Sequence, residues 1–123
     1  MKVNDVILGK EALIKLNNTK FNDFKIVMSV YKLVKSLDEV LDMAQSQQQK
    51  IFDTYHAVNL QNGTFKFNNE EDKRSFLKEM DELKNTDIDS IQQIKIPLNS
   101  VQNAPDISAR DLVSLAPFVE WIE

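Results

Sequence analysis

Residues 22–56 read NDFKIVMSVYKLVKSLDEVLDMAQSQQQKIFDTYH, and this stretch decides the fold. It contains neither proline nor glycine, and its apolar residues recur at spacings of three and four. Such spacing places side chains on one face of an α-helix. The pattern predicts one long helix over about residues 23–56. The stripe consists of Val27, Val30, Val34, Leu37, Leu41, Ala44, Gln48, Ile51 and Tyr55, of which only Gln48 is polar.

The predicted helix is longer than a small domain is wide, so the apolar residues at its ends must pack against something else. At about 1.5 Å per residue the helix spans roughly 50 Å, whereas a small domain is only about 30 Å across. The cover could be the rest of this chain, a second copy or a different protein. Ala44 and Gln48 weaken the stripe as a coiled-coil seam, so the stripe is either wholly internal core or lends one end to an interface. Residues 45–49 are polar nearly all round, and the helix either continues through them or folds back there.

The strongest short-range signal is the pair Asn62-Gly63, which suits the two positive-φ positions of a type I′ turn. Apolar residues alternate on both sides of it, so we predict a β-hairpin over about residues 57–67. A second, amphipathic helix is predicted to start at Asn68 or Asn69. Three acidic residues then fill its first turn, where the helix dipole favours negative charge. Asn85 is its predicted end.

The two ends of the chain carry weaker patterns. Residues 3–8 read as a short strand or as the start of a helix, and residues 11–16 read as a short helix. Alternating apolar residues at 94, 96 and 98 predict a strand, which Pro97 places at a sheet edge. Residues 99–106 read as a loop. Ser108 and Asp111 form a capping-box pattern for a short helix, and Pro117 suits the first turn of a last helix.

These elements together predict the α+β class. We expect one domain over residues 1–123, with one long central helix, a β-hairpin plus an edge strand, a second amphipathic helix and a short helical C-terminus. No internal repeat and no linker divides the sequence.

Composition excludes several classes of function. The chain has no cysteine, which rules out disulfides, thiolate metal sites and a cysteine nucleophile. Its formal net charge of −4 gives no steering field for nucleic acid. No apolar run approaches the roughly 20 residues that span a bilayer, and the first residues lack the apolar core of a signal peptide. We therefore expect no membrane partner, and either a cytoplasmic location or synthesis in a cytoplasm followed by assembly into a larger structure.

The residues that could carry chemistry are better explained by structure. His56 is the only histidine and lacks the partners that a catalytic or metal-bound histidine needs, so we expect it to cap a helix C-terminus. Acidic residues in the second predicted helix alternate with lysines and an arginine, as on a solvated face. Two isolated glycines cannot form a phosphate-binding loop. We expect no catalytic residue, no cofactor and no metal, and hence no enzyme.

The order of features resembles a group of small, uncharacterised bacteriophage and prophage proteins that form a domain-of-unknown-function family. The resemblance covers most of the chain and implies a phage setting, with a location in the host cytoplasm or in a virion, and without an established activity. No catalytic residue is carried over from it. It is carried by Leu13-Ile14-Lys15-Leu16, by Phe24-Lys25-Ile26-Val27, by Tyr55 and Asn62-Gly63, by Phe76 with Met80-Asp81-Glu82-Leu83, by Ile107-Ser108-Ala109-Arg110-Asp111-Leu112, and by Leu115-Ala116-Pro117-Phe118.

The sequence favours a non-enzymatic phage-type protein that acts by protein–protein contact, as a virion or assembly component. Its partner is a second copy of the chain or another phage or host protein. One alternative is a small inhibitor of a host enzyme, such as an anti-defence factor. A weaker alternative is a nucleic-acid-binding protein, because lysines lie near two phenylalanines in the first quarter of the chain; acids intervene, which disfavours it. The predicted interface combines the far half of the long helix with the C-terminus, and consists of Gln47, Ile51, Phe52, Tyr55, Phe118, Trp121 and Ile122.

Overall fold

The computed structural model describes residues 1–101, 104 and 106–123. It has the predicted α+β class, with helices that outweigh two small sheets. In chain order the elements are α1 (Val3–Asn17), α2 (Phe24–Thr54), β1 (Val58–Asn59), β2 (Phe65–Lys66), α3 (Glu70–Lys84), β3 (Ile94–Pro97), a 3-10 turn (Leu98–Ser100), α4 (Ala109–Leu115) and β4 (Val119–Ile122).

The long helix is confirmed, and it continues without a break through residues 45–49. Its 31 residues extend about 46 Å at 1.5 Å per residue. The Asp23 side chain caps its first turn by accepting a hydrogen bond from the Lys25 N–H at 2.9 Å. At the other end, Tyr55 is the C-cap. His56 follows with a φ of 50°, the left-handed conformation in which chains commonly leave a helix.

The rest of this chain packs against one face of α2 at both of its ends. Its first two thirds pack against α1 and β3, and they share a main core to which α4 and β4 also contribute. Its far end packs against α3 and the hairpin around an aromatic cluster, which consists of Phe52, Phe65, Phe67 and Phe76 with ring centroids 4.9–5.7 Å apart. The side chains of the main core include Val6, Leu13, Leu16, Val30, Leu33, Leu37, Leu41, Ile96, Leu115, Phe118 and Val119.

The N-terminal segment is a single helix. Of the two predicted alternatives for residues 3–8, the start of a helix is confirmed, and it continues without a break through the predicted short helix over residues 11–16. Residues just before α1 pair with the chain that leaves α3: the Val3 N–H donates to the Thr86 carbonyl at 3.0 Å, and the Ile88 N–H donates to the Met1 carbonyl at 2.8 Å. Gly9 lies inside α1 because this helix passes close to the C-terminal segment. A Cβ at Gly9 would lie 2.7 Å from Cε2 of Phe118 and 3.3 Å from the Ser114 carbonyl oxygen.

We expect Gly9→Ala to destabilise the fold by about 1–3 kcal/mol through overpacking. At an exposed helix position the same change would stabilise the fold by roughly 1 kcal/mol. The sign of the measured effect therefore shows whether Phe118 lies close to position 9. Chemical denaturation followed by circular dichroism measures it. The matched control is Leu8→Ala at the neighbouring exposed position, which should stay within about 0.5 kcal/mol of wild type. A stabilised Gly9→Ala protein would contradict this packing.

The hairpin is confirmed, but its turn differs from the predicted type I′. The Gly63 N–H donates to the Leu60 carbonyl at 3.1 Å, and the Leu60 N–H donates to the Thr64 carbonyl at 2.8 Å. Gly63 has a φ of 83°, whereas the φ of Asn62 is negative. This is the three-residue connection in which a type I turn precedes one left-handed glycine. The Asn62 side chain instead accepts hydrogen bonds from the Thr64 N–H and hydroxyl, at 3.2 and 2.6 Å.

The second helix is also confirmed with its predicted limits. Asn69 is its N-cap and accepts a hydrogen bond from the Asp72 N–H at 2.7 Å, and Asn85 is its C-cap. The predicted short helix after Ser108 is α4, whose capping box forms as predicted. Of the predicted loop over residues 99–106, the first residues belong to the 3-10 turn, and Gln102, Asn103 and Pro105 lie outside the described residues.

The predicted last helix is wrong, because residues 119–122 form strand β4. It pairs in parallel with β3, with Ile94 opposite Val119 and Ile96 opposite Trp121. The Ile94 N–H opens this ladder by donating to the Phe118 carbonyl at 3.0 Å. The predicted strand is thus confirmed as β3, an edge strand of a two-stranded sheet. Its partner follows a crossover that contains α4, as parallel pairing requires.

Candidate interaction surface

The structure places the seven predicted interface residues in two separate regions. Phe118 is fully buried in the main core, and Trp121 is half-buried against that core. The other region is the far end of α2, where Ile51 is buried and Phe52 belongs to the aromatic cluster. Three residues complete the set: Tyr55 is half-buried, and Gln47 and Ile122 are exposed.

A contiguous apolar surface lies instead on the first two turns of α2. Its members follow each other at spacings of three, one and three, so they share one face of the helix. They are Phe24, Val27, Met28 and Tyr31, with 71, 39, 42 and 60% of their surface exposed. We call these four residues the α2 patch. The buried residues Leu33 and Leu37 lie on roughly the opposite face, against the main core.

Sequence reasoning missed this surface because it assigned Val27 to the single apolar stripe of the long helix and placed the interface at the far end of that helix. A signal for it was nevertheless present. Phe24, Met28 and Tyr31 repeat at i, i+4 and i+7, which is an apolar row of their own. A helix with apolar rows on two faces has more apolar surface than one core can cover.

Most of the charges around the α2 patch are positive. The exception is Asp23, which is exposed, lies four residues before Val27 and caps the helix with its side chain. Between positions 24 and 35 the charged residues are Lys25, Lys32 and Lys35, all exposed, and no acid occurs. Each lysine lies three or four residues from Met28 or Tyr31 and is therefore a neighbour of the patch on the helix surface. The patch is apolar at its centre, and its rim carries a net positive charge.

A groove of about 500 Å³ lies between α2 and the segment around the end of α3. We call it the α2–α3 groove. Its apolar lining comes from Val3, Val40, Met43, Ala44, Leu83 and Ile88. Asp87 and Asp89 are the charged residues among the described residues that line it, and both are exposed. Gln47, one of the predicted interface residues, also lines it. The groove is therefore apolar inside and negatively charged at its rim.

A larger and more polar cavity, of about 980 Å³, lies between the α1–α2 connection and the segment after β3. Lys15, Lys20, Asp23 and Asp106 bring charges to it. The Lys15 ammonium is engaged, since its Nζ donates to the Asp111 carboxylate at 3.0 Å. Asp23 is engaged as well, as the N-cap of α2. Two of these four charged residues thus already have structural partners.

Among the described residues, two titratable groups have clearly shifted pKa values, and neighbouring groups explain both. Hydrogen bonds from Ser108, first from its backbone N–H at 2.9 Å, and then the Lys15 ammonium hold the pKa of Asp111 below its usual range. The Glu79 carboxylate beside Tyr55, together with partial burial, raises the pKa of that phenol. Asp111 thereby joins the start of α4 to α1, and Tyr55 at the end of α2 lies beside Glu79 of α3.

We expect Asp111→Asn to lower the melting temperature at pH 7, because the folded state favours the ionised carboxylate. A lowered folded pKa stabilises the protein fully above the unfolded pKa of about 3.9. This contribution is lost as the pH falls through the lower folded value. The melting temperatures of the two proteins should therefore converge below about pH 4 in thermal scans from pH 7 to pH 2. Asp81→Asn, at an exposed position of α3, is the control; a gap that persists at pH 2 would contradict the assignment.

Neither a metal centre nor a membrane helix occurs in the described part of the chain. No three histidine, cysteine, aspartate or glutamate residues among the described ones are placed to hold a metal ion. Of the helices described, none combines the length and the apolar composition needed to cross a membrane.

Comparisons with known proteins give no relative from which a site could be transferred. No family model, no curated protein and no solved structure matches this chain.

Proposed function

We propose that this chain is a non-enzymatic, phage-type protein that acts by protein–protein contact, as a virion or assembly component. The observation that carries the proposal is the α2 patch. Large contiguous apolar patches are uncommon on monomeric proteins and often mark interaction sites. The phage setting rests on the resemblance of the sequence to phage and prophage proteins.

The composition of the α2 patch fits a protein partner. Aromatic residues and methionine are enriched at the centres of protein interfaces, and here Phe24, Met28 and Tyr31 supply them. A patch at spacings of three and four on one helix is the form in which amphipathic helices enter apolar grooves of other proteins. The lysine rim stays in water and sets which partners approach.

A role in contact rather than in catalysis is supported by the electrostatics of the fold. Catalytic sites commonly hold groups with shifted pKa values. In this chain the shifted groups, Asp111 and Tyr55, have structural partners, and neither belongs to the α2 patch or to the α2–α3 groove.

The test is a photo-crosslinking amino acid placed at position 31, in cells that express the chain together with its neighbouring genes. We expect covalent adducts with protein of one or a few defined masses. The control places the same amino acid at position 71, where Glu71 is exposed on α3; it should give no such adduct. Equal adducts at both positions, or none at position 31, would refute contact through the α2 patch. An adduct with a host enzyme would favour the inhibitor role and contradict assembly.

A further inference from the structure

We propose that the α2 patch of one copy binds in the α2–α3 groove of a second copy, so that copies join head to tail. This inference rests on the proposed function and names its partner. It requires three properties of the two surfaces: complementary shape, complementary charge and a placement that prevents contact within one chain.

The two surfaces have complementary shapes. The α2 patch is a ridge of side chains along two turns of an exposed helix. The α2–α3 groove is an apolar cleft bordered by a helix on one side and by the start of an extended segment on the other. Met43, which lines the groove, is 65% exposed. A methionine side chain can adapt its shape to an incoming aromatic ring.

The net charges of the two rims are opposite. The α2 patch is flanked by Lys25, Lys32 and Lys35, and the groove is lined at its rim by Asp87 and Asp89. Opposite rims bring two copies together in one orientation, and like-charged pairings of two patches or two grooves are disfavoured. The charges therefore favour a patch-to-groove contact over a symmetric contact between two patches.

One chain cannot satisfy this contact by itself. On α2 the groove residues Val40 to Gln47 follow the patch residues by about 16 positions, or roughly 24 Å along an unbroken helix. The contact must therefore involve a second copy. Because the two surfaces differ, every added copy leaves one free patch and one free groove, and such heterologous contacts build rings or open helical assemblies.

The experiment uses two variants that each disable one surface at exposed positions. Met28→Asp with Tyr31→Asp places acids where the acidic groove must bind, and Met43→Asp with Gln47→Asp places carboxylates where the apolar side chains of the patch must bind. The two disabled surfaces then carry the same charge and do not bind each other. Size exclusion with light scattering, over a wide dilution range, gives their masses. We expect wild type to grow in mass with concentration and each variant alone to stay monomeric. An equimolar mixture should give a species of twice the monomer mass and nothing larger, since each variant keeps the surface that the other lacks.

The control for nonspecific association is Val113→Lys, which removes an exposed apolar side chain outside both surfaces and should associate like wild type. Circular dichroism checks that each variant is folded. Lys32→Glu with Lys35→Glu is a second, charge-only patch variant that should weaken association even if the aspartate pair fails to fold.

The outcomes separate this inference from the proposed function. A mixture that stays monomeric, or single-surface variants that associate like wild type, would overturn the patch-to-groove contact. A monomeric wild type whose position 31 forms an adduct with another protein would overturn it too, but would leave the proposed function in place. A monomeric wild type with no adduct at position 31 would refute both.

Discussion

Replacement of Phe118 by alanine should lower the free energy of unfolding by about 3–5 kcal/mol, the range for removing a fully buried phenylalanine side chain. The ring is completely buried in the main core and lies against Gly9 of α1. The backbone of the same residue bonds to Leu115 on one side and to Ile94 on the other. Loss of the ring therefore leaves a cavity where α1, α4 and the sheet meet.

Chemical denaturation followed by circular dichroism measures this loss. Val113→Ala is the matched control, because Val113 belongs to the same segment and is exposed; its effect should stay within about 0.5 kcal/mol. A loss below about 1 kcal/mol for Phe118→Ala would show that the ring is not part of the core. Phe118 would then be free to serve an interface, as the sequence alone suggested.

Phe76→Ala should also lower the free energy of unfolding by about 3–5 kcal/mol. In this variant, however, the destabilisation should be confined to one end of the molecule. Phe76 is buried and is the ring in the aromatic cluster that meets Phe52, Phe65 and Phe67. This cluster is separate from the main core. Its loss should release α3 and the hairpin from the far end of α2.

Hydrogen exchange in the native state detects this local opening. Amides of α3 and of the far end of α2 should lose protection in Phe76→Ala, whereas amides of α1 and of the first turns of α2 should keep most of theirs. Leu77→Ala, one residue away and exposed, is the control and should leave the exchange pattern unchanged. Uniform loss of protection over the whole chain would contradict two separable cores.

Local signals in the sequence predicted much of this fold. The spacing of apolar residues predicted α2, an Asn-Gly pair predicted the hairpin, and capping residues predicted the limits of α3 and the start of α4. Each of these signals acts between residues a few positions apart. Strand β4 was missed because its partner, β3, lies about 25 residues earlier in the chain, and four residues after Pro117 carry too short a pattern to decide between helix and strand.

The interaction surface was harder to predict for a related reason. Periodicity shows that side chains share a face, but not which of two apolar faces the rest of the chain will cover. In α2 the row with Leu33 and Leu37 meets α1 and β3, and the row with Phe24 and Tyr31 stays exposed. Only the tertiary packing distinguishes them. In the same way, the need for a glycine at position 9 arises from the close approach of Phe118, which lies more than 100 residues away in the sequence.

The separation of the two clusters also bears on the order in which the chain folds during its synthesis. The aromatic cluster is built from residues 52–76, which leave the ribosome together and close only short loops. The main core needs Phe118 and the pairing of β4 with β3, and the start of α1 needs Thr86 and Ile88. We therefore expect the far end of α2, the hairpin and α3 to form first on a nascent chain. Both apolar rows in the first half of α2 would then stay exposed until β4 leaves the ribosome and the main core can form.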